Sequence, residues 1–141
     1  MFTDDRRIFT EDILGTSVAE ARLLAGDVTR EIIGAFFDVY NELGYGFLEN
    51  VYQRALPVAL AARGIRLERE VPMRISFRGE SVGDYRADLI VDGRVVVEIK
   101  AVERLVSAHE AQLLNYLRAT GLRVGLILNF GPQATFRRLM R

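Results

Sequence analysis

Apolar residues recur at helical spacing over residues 28–43. Ile32, Ala35, Phe36, Val39, Tyr40 and Leu43 form one stripe, the pattern of a helix that buries a single face. Asp27 stands where an N-cap carboxylate belongs, and Gly44-Tyr45-Gly46 ends the run. A second helix is expected over residues 47–63, stopped by Gly64. Pro57 inside it removes a backbone hydrogen bond and predicts a kink near residues 53–56. After Gly64 the pattern becomes strand-like. Residues 65–71 alternate apolar and charged until Pro72 interrupts them. Residues 74–77, the turn Arg78-Gly79-Glu80 and residues 83–91 read as a hairpin, and Asp92-Gly93 turns the chain into a strand ending at Lys100. Ser107-x-x-Glu110 has the form of a capping box opening a helix to Thr120, with Gly121 as its stop. Residues 124–128 suit a buried strand and residues 135–139 an edge strand, leaving Arg137, Arg138 and Arg141 in a solvated tail. Upstream, Ser17-x-x-Glu20 is another capping pattern, with Val18, Ala21, Leu23 and Leu24 before Gly26. Residues 1–26 are therefore expected as an N-terminal arm or short helix, and residues 27–141 as one α/β domain.

The stretch from Asp88 to Lys100 holds the candidate chemistry. In its second strand Val95, Val97 and Ile99 face one way, and Val96, Glu98 and Lys100 the other. Charge at the end of a buried strand is costly unless paired or used. Whether Asp88 joins that face depends on register. A two-residue loop at Asp92-Gly93 would put Asp88 opposite Val97, on the wrong face. A three-residue loop, Val91-Asp92-Gly93, with Gly93 left-handed, pairs Ile90 with Arg94 and puts Asp88 opposite Val96, diagonal to Glu98. The three-residue loop is expected.

Composition narrows the options. The chain of 141 residues has no cysteine and one histidine, His109. Disulfides, thiolate metal sites, cysteine nucleophiles and multi-histidine centres are excluded. Net charge is zero and the sequence pI is about 6.6, which lends no general support to phosphate neutralisation but leaves room for a local basic groove. No apolar run is long enough for a membrane span. Met1-Phe-Thr-Asp-Asp-Arg-Arg lacks the apolar core of a secretory signal, so a cytoplasmic location is expected. Lys100 is the sole lysine against eighteen arginines. A compact ammonium, unlike a guanidinium, shifts its pKa readily when buried. A plain Glu98–Lys100 surface pair is the competing reading of these two residues.

Several separated stretches together resemble one family. Gly46-x-x-Glu49-x-x-Tyr52, Tyr85-Arg-Ala-Asp88-Leu, Glu98-Ile-Lys100-Ala and His109-Glu-Ala-Gln112-Leu-Leu-Asn-Tyr116-Leu are similar to the G-x-x-E-x-x-Y protein family of the PD-(D/E)XK nuclease superfamily. Ala87 stands where the superfamily's name has proline. The resemblance implies a restriction-endonuclease-like core, a central mixed sheet of four to six strands flanked by helices. It implies a metal-dependent nuclease acting on nucleic acid, with DNA as the expected substrate and Mg²⁺ or Mn²⁺ as cofactor. Asp88, Glu98, Glu49 and the Ile99 backbone carbonyl would be metal ligands. Lys100, with Asp88 and Glu98, would be catalytic, and Gln112 and Tyr116 would position the nucleophile or phosphate. Tyr52, as support for Glu49 or as a stacking surface, and His109 are assigned to substrate positioning. Glu49 also suits a helix N-terminus without any ligand, and His109 suits a cap. The different-class alternative is a catalytically silent nuclease-fold module that binds nucleic acid or a protein. The 1–26 arm is a candidate contact for a homodimer, and no membrane partner is expected.

Overall fold

The computed structural model describes residues 18–141. Helix α1 spans Val18–Leu43, α2 Glu49–Ala62 and α3 Ser107–Thr120. Strands β1 (Leu67–Phe77), β2 (Glu80–Val91), β3 (Val95–Lys100), β4 (Val124–Phe130) and β5 (Ala134–Met140) form one sheet in the order β1-β2-β3-β4-β5. The β3–β4 pair is parallel and the others antiparallel, so the sheet is mixed. A parallel neighbour requires a crossover, and α3 supplies it. Among the described residues no helix is long and apolar enough to cross a membrane.

The sheet lies between two helical layers. On one face α1 contributes Ile32, Phe36 and Val39 and α2 contributes Tyr52, Leu56 and Leu60, packed on Leu89, Val97, Ile99, Leu126 and Leu128. On the other face Leu113, Tyr116 and Leu117 of α3 pack on Val96, Ile127 and Leu139. The apolar stripe read for α1 is thus core.

Several local expectations are not met. Helix α1 does not start at Asp27 but runs continuously from Val18. Asp27 points outward, and its carboxylate lies 3.6 Å from the Arg94 guanidinium instead of capping a turn. The expected Ser17 cap lies outside the described residues. Pro72 does not end a strand, because β1 is an edge strand, where a missing donor is tolerated. Arg138, expected in a solvated tail, is 2% exposed within β5.

The hairpin loop has three residues, but they are Asp92-Gly93-Arg94, one position later than expected. Val91 pairs with Val95, Ile90 with Val96 and Leu89 with Val97. Asp92 adopts a left-handed φ of 53° and Gly93 one of 66°. The Asp92 carboxylate is gripped by Arg94 at 2.8 and 3.1 Å, which holds Arg94 in the loop. Carried one step further, this register sets Asp88 opposite Glu98.

Candidate active site

The sheet forks where the β2–β3 ladder ends. The last paired residues are Leu89 and Val97, yet β3 continues beside β4 as far as Lys100 opposite Asn129. Backbone groups freed at such a fork need other partners, and side-chain carboxylates supply them. The Ile99 N–H donates to Asp88 Oδ2 at 2.7 Å, and the Asp88 N–H donates to Glu98 Oε1 at 3.3 Å. On β1, the pairing also skips Glu70, the residue facing Asp88, whose φ is 49°. Asp88 therefore sits at a break in both of its ladders.

Helix α2 brings the third acid. Gln53 Nε2 lies 3.2 Å from Asp88 Oδ1 and 3.2 Å from Glu49 Oε2, so one amide bridges two carboxylates. Glu49 opens α2, where the helix dipole favours negative charge. All three acids hold their protons more strongly than usual. Burial is the main cause for each. Repulsion from Asp88 adds to it for Glu98 and Glu49, while Lys100 opposes it. Glu98, 5% exposed, is pushed up to about 8. Among the described residues none of the three is in a salt bridge within 4 Å.

Helix α3 closes the other side. Lys100 Nζ donates to Gln112 Oε1 at 3.1 Å, and Gln112 Nε2 donates to the Tyr116 hydroxyl at 3.1 Å. Gln112 and Tyr116 share a helical face, so one turn of α3 presents both. Burial and the nearby Glu98 and Asp88 push the Tyr116 hydroxyl up to about 12, which keeps it a neutral donor. The chain leaving Lys100 is pinned by Asn129, which accepts from Val102 N at 2.9 Å and donates to Val102 O at 3.0 Å.

Asp88, Glu98, Glu49, Lys100, Gln112 and Tyr116 thus surround one end of β3. Tyr52 and His109 do not join them. Tyr52 is fully buried, stacked on Phe130 with centroids 4.4 Å apart. Its hydroxyl donates to Gly44 O at 2.7 Å and accepts from Phe47 N at 3.3 Å, so it braces the loop before Glu49 and offers no face to a base. His109 Nδ1 accepts from Val106 N at 3.0 Å, a cap on α3. Gln53 is the residue that sequence reasoning missed. Its signal was its place four residues after Glu49, on the same face of the helix.

The acid cluster suits a divalent cation. Its donors are hard oxygens, Glu98 is buried and Asp88 and Glu49 half-buried, and no arginine among the described residues neutralises them. Among the described residues no group of three His, Cys, Asp or Glu side chains is arranged to hold a metal ion. A Mg²⁺ ion would need only one or two of these carboxylates, completing its shell with water and substrate phosphate.

A mixed sheet between helical layers, forked at a partly buried acidic cluster with a lysine beside it, defines the restriction-endonuclease-like class of α/β fold. The chain belongs to the PD-(D/E)XK nuclease superfamily, whose family model it matches over residues 26–139. A solved structure named "Crystal structure of SSO0001" shares the fold, with a TM-score of 0.56 and 22% identity. That likeness covers 66% of this chain and 50% of the other, so the present chain matches half of that protein's length. No curated protein matches the chain.

Proposed function

We propose that this chain is a Mg²⁺- or Mn²⁺-dependent phosphodiester hydrolase of nucleic acid, with DNA as the substrate. We read it as a member of the G-x-x-E-x-x-Y branch of the superfamily, a reading supported by the pattern Gly46-x-x-Glu49-x-x-Tyr52. The observation that carries the reading is the meeting of Asp88, Glu98, Glu49 and Lys100 at the sheet fork, with Glu98 buried, Asp88 and Glu49 half-buried, and none of them neutralised by arginine among the described residues. In this reading Asp88 and Glu98 hold the metal, and Glu49 completes the acidic shell. The Ile99 carbonyl is a further donor, because a strand residue directs its C=O to the same side as its N–H, here toward Asp88. When bound, the cation lowers the pKa of water and offsets phosphate charge. Lys100, anchored on Gln112, orients the attacking water and stabilises developing charge. Tyr116 steadies the Gln112 amide and offers a donor to the phosphate.

The test is cleavage of labelled single- and double-stranded DNA and RNA with Mg²⁺, Mn²⁺ or EDTA. Metal-dependent cleavage is expected, falling about a hundredfold or more in Lys100→Ala. Equal cleavage by a folded Lys100→Ala variant would refute the assignment. One observation favours a silent binding module instead: the Lys100 ammonium already has a partner in Gln112. Metal titration separates the two readings. Saturable Mn²⁺ uptake lost in Asp88→Asn supports chemistry, and no uptake supports the binding module.

A further inference from the structure

Asp88 also forms part of a second cavity, of about 280 Å³, that opens between α2 and the β1–β2 edge. Gln53 and Arg54 come to it from α2, Arg69 and Glu70 from β1, and Arg86 and Asp88 from β2. Arg54, Arg69 and Arg86 are exposed, and none is in an ion pair among the described residues. A larger cavity, of about 640 Å³, contains Arg63, Arg66 and Arg94. Those three are neutralised, Arg63 by Glu31 and Asp38, Arg66 by Asp92, and Arg94 by Asp92 and Asp27. The contrast is chemical. Three of the four guanidiniums at the larger cavity are ion-paired, Arg30 being the exception among the described residues, whereas all three at the smaller one face open space beside the acid cluster.

We infer that the smaller cavity is a phosphate subsite, seating a phosphate of the nucleic-acid strand next to the bond at the Asp88–Glu98 centre. The inference rests on the nuclease reading of that centre and extends it. Three guanidinium forks can take phosphate oxygens bidentately. Glu70 and Asp88 reduce the positive charge without cancelling it. No aromatic residue lines the cavity, so it has no platform for stacking a base. It takes the backbone, and contacts to phosphate set register without reading sequence. The volume lies just below the ~300–1,000 Å³ usual for ligand sites, which suits one nucleotide's phosphate and sugar. Because Asp88 belongs to both, the strand runs over α2 and the β1–β2 edge.

Two sources of that phosphate are separable: an internal diester or a terminal monoester. Fluorescence anisotropy on the full chain, titrated with labelled single-stranded DNA in EDTA across a salt series, reads binding without cleavage. The probes carry a 5′-phosphate, a 5′-hydroxyl, or are circular. For Arg69→Ala/Arg86→Ala, Kd is expected to rise about tenfold. The salt slope should flatten by roughly 0.7 for each phosphate that the variant no longer neutralises. Arg66→Ala, in the neutralised cavity, should bind like the wild type. Preference for the 5′-phosphate that disappears in the double variant identifies a terminal monoester. Equal weakening on all three probes identifies an internal diester. Unchanged Kd and slope in the double variant, or no binding by the wild type, overturns the subsite. Cleavage on the same panel keeps the two ideas apart. Lys100-dependent cutting with no effect of the arginines sinks only the subsite. Arginine-dependent binding with no cutting under any metal sinks only the hydrolase reading.

Discussion

Glu98 should make the metal-free protein less stable as pH rises. Its carboxyl is pushed from the ordinary 4.5 to about 8, chiefly by burial and then by Asp88. The folded state therefore binds more protons than the unfolded state between those values, and stability falls as pH increases across that window. Each pH unit of displacement is worth about 1.4 kcal/mol, so full ionisation costs on the order of 3–5 kcal/mol. That is a large share of the roughly 5–15 kcal/mol of a typical domain. Glu98→Gln keeps the shape and removes the charge. Denaturant unfolding in EDTA should show the variant equal to the wild type near pH 5 and more stable by a few kcal/mol near pH 8. Saturating Mn²⁺ at pH 8 should restore the wild type far more than the variant, because a ligand that binds only the folded state stabilises it. Wild type and variant with parallel stability profiles from pH 5 to 8 would show that Glu98 is not strained by its neighbours, and the case for an uncompensated acid cluster would fail.

Other perturbations test individual supports. Gln53→Ala should leave the fold intact and weaken Mn²⁺ affinity about 10–100-fold, as loss of an outer partner does; an unchanged isotherm removes Gln53 from the site. Tyr52→Phe should lower stability by about 1–3 kcal/mol, because Gly44 O loses its donor, with residual activity following residual fold. Inactivity in a fully stable Tyr52→Phe variant would show a direct role. Gly131→Ala should destabilise more than an ordinary surface change, since a Cβ there would meet Val102 O at 2.2 Å. The thermal melt reads this, and an unshifted midpoint would mean that the loop after Lys100 moves freely.

The sequence carried the element order because each helix and strand has a distinct apolar period, and the caps at Gly64 and Gly121 adopt left-handed φ of 73° and 76°. It failed where a local signal competed with a tertiary one. Asp27-Val28 reads as a helix start, but Asp27 is drawn outward toward Arg94. Asp92-Gly93 reads as a turn of either length. The grip of Arg94 on Asp92, which spacing alone does not reveal, decided where the loop ended. Asp88 nevertheless kept the face of Glu98, because observed and expected registers differ by an even number of residues. The roles of Tyr52 and Gln53 were harder to see. Both lie on one turn of α2, and only packing against Phe130 tells which is buried.

The fork gives a reason for the site's location that does not depend on any ligand. A continuous β2–β3 ladder would satisfy the Ile99 N–H with a carbonyl, and an unbroken β1–β2 ladder would do the same for the Asp88 N–H, because successive residues of a strand bond to opposite sides. Ending the first at Leu89 and Val97 and skipping Glu70 in the second frees both donors in a half-buried region, and Asp88 and Glu98 become their acceptors. Each carboxylate spends one oxygen on the backbone and keeps the other for something else. At Asp88 that second oxygen is held by Gln53, a neutral and replaceable amide. Had the cluster only to hold the sheet together, a neutral Asn or Gln at either position would satisfy the N–H groups without burying charge. Asp and Glu instead carry an electrostatic cost that the backbone N–H groups and Lys100 offset only in part, and that a bound cation would offset further.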